Sequence, residues 1–342
     1  MDIVINLIYQ ILVDKWHNGV KVKAKRHYKP TMTKVKQKED FRSYYKRLVK
    51  QNLQHSLWYA AGVVLFFSLI GFYAKVVPAI ILGSICLFFI YLLHRRYTKK
   101  YYRRLALLQV SFPTAWQLYL EDNAAFYANL TDENKQVFNK RIQFFLAEKK
   151  IEGVSTEIDD DLKLLVAASA IIPTFAFPFF EYPNLRQILI YPNSFDKSFQ
   201  TESEASQEQN IAGMVGNGFM NKTLLLSKPD LISGFKGKNT HNVGIHEFVH
   251  LLDMADGAVD GLPEIFVANT YALPWLQVIQ AEVRKIKKGN SDINPYSLTN
   301  NAEFLAVVSE YFFDNPEKLE AKHPELYQSL CIIFQQTPTN NR

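Results

Sequence analysis

The sequence predicts an α+β chain, mainly α, in which a two-helix transmembrane hairpin precedes a globular domain. Three observations carry that expectation. Residues 57–74 (LWYAAGVVLFFSLIGFYA) and 76–93 (VVPAIILGSICLFFIYLL) are charge-free apolar runs separated by Lys75 alone. Beyond residue 105 the longer apolar patterns repeat at helical spacing, and strand-like runs are few and short. With 342 residues, 48% hydrophobic and 14% aromatic, the chain can bury a sizeable core, which excludes a disordered chain.

Residues 1–13, MDIVINLIYQILV, are apolar but short. They lack a positive n-region and a small-residue cleavage site, so they read as an interfacial helix or docking segment rather than a signal peptide. Residues 1–56 as a whole form a basic cytoplasmic N-terminal segment. Residues 57–93 form the hairpin, because each 18-residue run is near the minimum for a hydrocarbon core of about 30 Å at about 1.5 Å per residue. Trp58, Tyr59, Tyr73 and Tyr91 stand near the run ends, where aromatic rings favour the interface.

Charge orients the hairpin. Lys46, Arg47 and Lys50 precede it, and HRRYTKKYYRR, the basic juxtamembrane segment 94–104, follows. Both flanks therefore stay in the cytoplasm, at the inner membrane, and the turn near Lys75 reaches the far side. Residues 15–104 carry 20 Lys/Arg against 2 Asp/Glu, whereas residues 105–342 carry 19 against 29, a net of −10. The basic first third is what a membrane hairpin requires, so no direct nucleic-acid partner is expected. Cys86 and Cys331 are too few and too far apart for a disulfide framework or a Cys-rich metal site, which fits a reducing compartment.

The domain occupies residues 105–342. TDENKQVFNKRIQFFLAEKK, residues 131–150, reads as a helix with Thr131 as N-cap and Asp132 and Glu133 in its first turn. Residues 161–172, DLKLLVAASAII, read as a buried helix ending before Pro173, and the Pro- and Phe-rich run 173–183 as a packed loop. QILIY, residues 187–191, is a strand, and residues 196–221 a polar, Gly-bearing surface loop. KTLLLS, residues 222–227, is a second strand, placed where an edge could take an extended substrate.

The chemistry gathers at His246-Glu247-Phe248-Val249-His250, an H-E-x-x-H pattern. On a helix, residues four apart share a face, so both imidazoles can grip one Zn2+ ion. Glu247 then stands where it can take a proton from water that the metal activates. A catalytic zinc site needs a third protein ligand. Asp256, six residues after His250, is one candidate, but the pattern that would use it needs a Gly at position 253, where Asp253 stands. The other route is the helix AEFLAVVSEYFF, residues 302–313, capped by Asn300 or Asn301. Glu303 and Glu310 lie seven apart on one stripe of that apolar helix, which is costly without partners. One could ligate while the other orients a ligand histidine, and spacing alone does not rank them.

The runs HEFVHLLDMADGAVDGLP and NAEFLAVVSEYFFDNPE, with FPTAWQLYLEDNAAFYANL and RQILIYPNSF, resemble the Mlc titration factor A family of zinc peptidases. The resemblance covers roughly residues 110–338. It implies a zincin-like, gluzincin fold with one zinc per chain, held by His246, His250 and Glu303, and with Glu247 as general base. Glu310 and Asp253 would then support the ligands from behind. Tyr296 matches a family tyrosine seven residues before the ligand Glu, where its hydroxyl could donate to a tetrahedral oxyanion. Peptide or protein substrates follow, with aminopeptidase-like cleavage one form. A cytoplasmic regulatory partner is the other implication, because the family is named for sequestering a repressor. The membrane hairpin is a departure from the best-known members, which are soluble.

Overall fold

The computed structural model describes residues 40–73, 76–193, 213–215, 222–236, 241–263 and 271–340. The apolar start, the basic segment up to residue 39 and most of the polar loop 196–221 lie outside the described residues.

Two long antiparallel helices open the described chain, α1 (Phe41–Tyr73) and α2 (Val76–Leu107), of 33 and 32 residues. Each outruns its 18-residue apolar run, so residues 41–56 and 94–104 of the basic flanks continue the same helices. Both are long and apolar enough to cross a membrane. Their apolar side chains face outward without protein cover: Trp58 is 77% exposed and Phe72 83%. A hairpin buried in a soluble core would show the opposite.

The foot of the hairpin is fastened to the domain. Phe41 and Tyr45 meet Phe144 edge to face, and Tyr44 stacks on Phe179. Arg104 forks onto both oxygens of Glu148 at 2.5 and 2.7 Å and also reaches Glu181 at 2.7 Å. A bidentate guanidinium–carboxylate pair fixes direction as well as distance.

The domain then builds α3 (Thr114–Asn123), α4 (Ala125–Ala128) and α5 (Asp132–Glu148). The Thr131 hydroxyl accepts from Asn134 N at 3.4 Å as the cap of α5. Next come β1 (Lys150–Gly153) and α6 (Asp160–Ile171), the latter capped by Asp159 accepting from Leu162 N at 2.8 Å. β2 (Gln187–Tyr191), β3 (Gly213–Val215) and β4 (Thr223–Ser227) complete a sheet of order β1-β2-β4-β3. The first three strands in that order are parallel, and β3 runs antiparallel to β4.

The strand read from KTLLLS is therefore interior. β4 pairs with β2 on one side and β3 on the other, so its backbone is spent inside the sheet. Beyond it, at one edge of the sheet, lies β3, three residues inside a polar loop and too short to stand out by alternation; β1 forms the other edge.

After α7 (Lys228–Lys236) come α8 (Val243–Asp253), α9 (Ala272–Lys287), α10 (Asn301–Asp314), α11 (Pro316–Lys322) and α12 (Pro324–Phe334). α6, α8 and α10 are apolar nearly all round, the pattern of a helix buried on every side. Leu164, Phe248, Phe304 and Phe312 are wholly buried and place these three helices at the centre of the core. The architecture is a mainly helical α+β domain with a small, largely parallel sheet.

Candidate metal centre

α8 begins at Asn242, whose side-chain oxygen accepts from Ile245 N at 3.1 Å. Gly244 lies in its first turn. A Cβ there would fall 2.1 Å from Ser169 Oγ on α6, so only glycine lets the two helices approach this closely. The helix then presents His246 and His250 on one face, with their Nε2 atoms 3.1 Å apart. α10 crosses opposite. Asn300 caps it by accepting from Glu303 N at 2.9 Å, which holds Glu303 in the first turn. Glu303 Oε2 lies 3.0 Å from His246 Nε2 and 3.4 Å from His250 Nε2.

Glu310 lies two turns along the same helix and serves the other edge of His246. Its Oε1 sits 2.6 Å from His246 Nδ1, while Oε2 meets His241 Nδ1 at 2.5 Å and accepts from Asn242 N at 2.8 Å. A carboxylate only accepts, so His246 Nδ1 donates to Glu310, and in the neutral ring Nε2 keeps the lone pair. That lone pair faces a carboxylate oxygen and a second imidazole nitrogen. Three donors crowded in this way repel unless a cation lies among them. Their spacings of 3.0 to 3.4 Å match the separation of about 3.3 Å that tetrahedral ligands keep around a zinc at 2.0–2.1 Å. The donor set fits a metal ion.

The same acids draw positive charge to this point: burial works against charge on His246, but the carboxylates of Glu303 and Glu310 outweigh it and lift the imidazolium to about 10, so with no ion bound a proton holds Nε2 and a metal must displace it. Burial likewise opposes ionisation of Glu303, yet His246 and His250 hold it well below the usual carboxylate range. Glu247 is buried beside them with no hydrogen bond to another described residue, and burial pushes its carboxyl up. A carboxylate raised in this way is more basic than a solvated one.

The family profile described as glucose-regulated metallo-peptidase M90 matches residues 97–335. The chain is a member of the M90 metallo-peptidase family, the family of Mlc titration factor A. It is 32% identical over 249 residues to an uncharacterized protein of Synechocystis sp., covering 70% of this chain and 90% of that one. It is 26% identical over 237 residues to Mlc titration factor A of Cronobacter sakazakii, covering 66% of this chain and 87% of the relative. The same factor of Salmonella agona is 26% identical over 226 residues, covering 62% and 82%. The family match begins at residue 97, beyond both apolar runs.

Within this M90 domain the remaining candidates take different places. Asp253 makes no hydrogen bond to the described histidines. Its Oδ2 accepts from Gly261 N at 2.9 Å, and Gly261 O in turn accepts from Trp275 Nε1 at 2.7 Å. Gly261 has φ +78°, and a Cβ there would fall 2.3 Å from Asn301 O, two residues before Glu303. Asp253 thus ties the loop after α8 to the start of α10, and its burial pushes its carboxyl up to about 6. Asp256 is exposed and accepts from Ala258 N at 3.0 Å, in keeping with a turn residue.

Tyr296 sits on the short 3-10 turn Pro295–Leu298, half exposed, with its ring centroid 6.2 Å from that of His246. Burial raises its hydroxyl pKa, helped by Glu303 and Glu247. Sequence reasoning did not single out His241 and Asn242, the two residues that share Glu310 with His246. The signal was an Asn at the cap of the H-E-x-x-H helix, which makes the preceding backbone a ready donor to a buried acid.

Proposed function

We propose that this M90 protein is a membrane-anchored zinc peptidase of the zincin-like, gluzincin kind, with His246, His250 and Glu303 as ligands. The observation that supports it most is the convergence of three lone-pair donors within 3.0 to 3.4 Å beside a buried Glu247. Bound there, zinc supplies Lewis acidity, which lowers the pKa of water towards about 7.

The protein's own groups do the rest. Glu310 holds His246 in the tautomer that offers Nε2. Glu247, made more basic by burial, takes the proton of the attacking water and returns it to the leaving amine. Tyr296, exposed at the rim, donates its hydroxyl to the oxyanion. The edge strand β3, next to β4, offers a side unpaired among the described residues to an extended peptide. Cleavage at a free N-terminus, as in an aminopeptidase, is the finer form of this reading.

The catalytic domain, residues 105–342, would lie in the cytoplasm beneath the inner membrane, because the hairpin 57–93 exposes apolar side chains and carries its basic flanks on one side. The test is Glu247→Gln. This variant should retain zinc and lose about 10²- to 10⁴-fold in peptide hydrolysis. Zinc retention with undiminished hydrolysis would sink the mechanism. N-blocked and free peptides compared side by side separate internal from N-terminal cleavage.

A regulatory reading rests on the relatives named Mlc titration factor A. On that reading the domain binds a cytoplasmic protein and the anchor holds it at the membrane. A cellular effect that survives Glu247→Gln but fails with a surface substitution would favour it.

A further inference from the structure

The foot of the hairpin encloses a second polar site that the peptidase reading leaves unused. A cavity of about 40 Å3 lies where α1 and α2 meet α5 and the 173–183 loop. Three cations line it, Arg104, Arg141 and Lys149, with two acids, Glu148 and Glu181. Both acids are taken. Arg104 bonds each of them at 2.5 to 2.7 Å, and Lys100 adds to both from outside.

Among the described residues, the other two cations hydrogen-bond to neutral partners only. Lys149 Nζ donates to the Tyr182 and Leu185 carbonyls at 2.9 and 2.6 Å. Arg141 is 6% exposed, and its guanidinium donates to Thr174 O and Thr174 Oγ1, each at 2.7 Å. Two of its five N–H donors are thereby used, and no carboxylate pairs with it among the described residues. Burial pulls its pKa down to about 10, which still leaves it charged at neutral pH. An uncompensated buried cation is costly, and water answers its hydrogen bonds without answering its charge.

We propose that this cavity is a binding site for a small inorganic anion of chloride size, held by the free N–H donors of Arg141. Size and position select that class. The space admits one such ion or about three waters. A lipid phosphate is placed wrongly. Tyr45, on the cavity wall, lies 12 residues before the apolar run, about 18 Å along the helix, whereas the headgroup layer is only about 5–8 Å deep. That positional argument rests on the membrane reading above; the charge argument does not.

The site also touches the catalytic machinery. Phe145 and Tyr182 wall the cavity and pack on Phe248, between Glu247 and Val249, at centroid distances of 5.9 and 5.1 Å. An ion there braces the contact between hairpin foot and zinc helix.

The experiment uses the full chain in detergent, with thermal midpoints measured in chloride, bromide and gluconate at equal ionic strength. Both halides should raise the midpoint by several degrees over gluconate, which is too large for the cavity. Arg141→Met should abolish that difference and Arg141→Lys keep part of it. Crystals soaked in bromide should show an anomalous peak beside the Arg141 guanidinium, a result that stands even if Arg141→Met does not fold. Equal midpoints in all three salts, water alone in the soaked cavity, or a response to inorganic phosphate or anionic lipid in place of halide would each overturn the proposal.

Discussion

Two histidines in this domain sit between carboxylates, and they come to opposite ends. His246 lies between Glu310 at Nδ1 and Glu303 at Nε2, at 2.6 and 3.0 Å. His323 lies between Glu282 at Nδ1 and Asp292 at Nε2, at 2.8 and 2.9 Å. The difference is in what else reaches the acids. Lys285 bonds Glu282, and Lys318, Lys322 and the Tyr311 hydroxyl bond Asp292. The protein neutralises that cluster from its own side chains, so both His323 nitrogens can donate and the ring is a clasp. Among the described residues no lysine or arginine reaches the acids around His246. The third neighbour is another imidazole, His250, which adds a lone pair where a cation is missing. A histidine between two acids is thus no sign of a metal; a surplus of lone pairs at one point is.

The sharpest way to break this comparison is Glu303→Ala. It should lower metal content to background and abolish hydrolysis, whereas Glu282→Ala should leave metal content intact. Full metal content in the Glu303 variant would refute the ligand set. Glu310→Gln keeps the shape of the support but weakens its hold on His246 Nδ1, and metal affinity should fall about 10- to 100-fold. Competition with a chelator measures that.

The clasp makes a prediction in pH. The hydrogen bond to Glu282, opposed by burial and aided by Asp292, raises the pKa of His323 in the folded state. A raised histidine contributes stability that is full below the unfolded value of about 6.5 and fades as pH climbs through the higher folded value. Urea midpoints of the metal-loaded protein should therefore fall as pH rises above about 6.5. His323→Gln should flatten that slope, and an unchanged slope would remove the charged clasp. The smallest effect is at Lys322, half exposed and 2.9 Å from Asp292. Lys322→Ala should cost less than about 1 kcal/mol in denaturation and leave metal affinity unchanged.

Much of the site was legible because helix spacing is local. HEFVH places two imidazoles on one face whatever the rest of the chain does. Glu303 and Glu310 stand out as two acids on one stripe of an apolar helix. β2 and β4 were legible as strands, but β1, β3 and the order of the sheet were not. Pairing between β2 and β4 joins residues 36 positions apart, and β3 is too short to show a period, so spacing alone did not decide whether β4 was an edge or a core strand. His241 was missed because its partner, Glu310, lies 69 residues away. Arg141 was hidden for a related reason: nothing in KRIQFF shows that its charge is buried without an acid.

Sequence alone determined which atoms could meet a metal and which runs could meet a membrane. Both follow from 3.6 residues per turn and from the length of an uncharged stretch. Tertiary structure decided that Glu303 faces Nε2 while Glu310 faces Nδ1, and that Asp253 holds a loop away from the histidines. Those outcomes depend on how closely α8 packs on α6 and how the loop after α8 meets the start of α10, set by Gly244 against Ser169 and by Gly261 against Asn301, contacts between elements far apart in the chain.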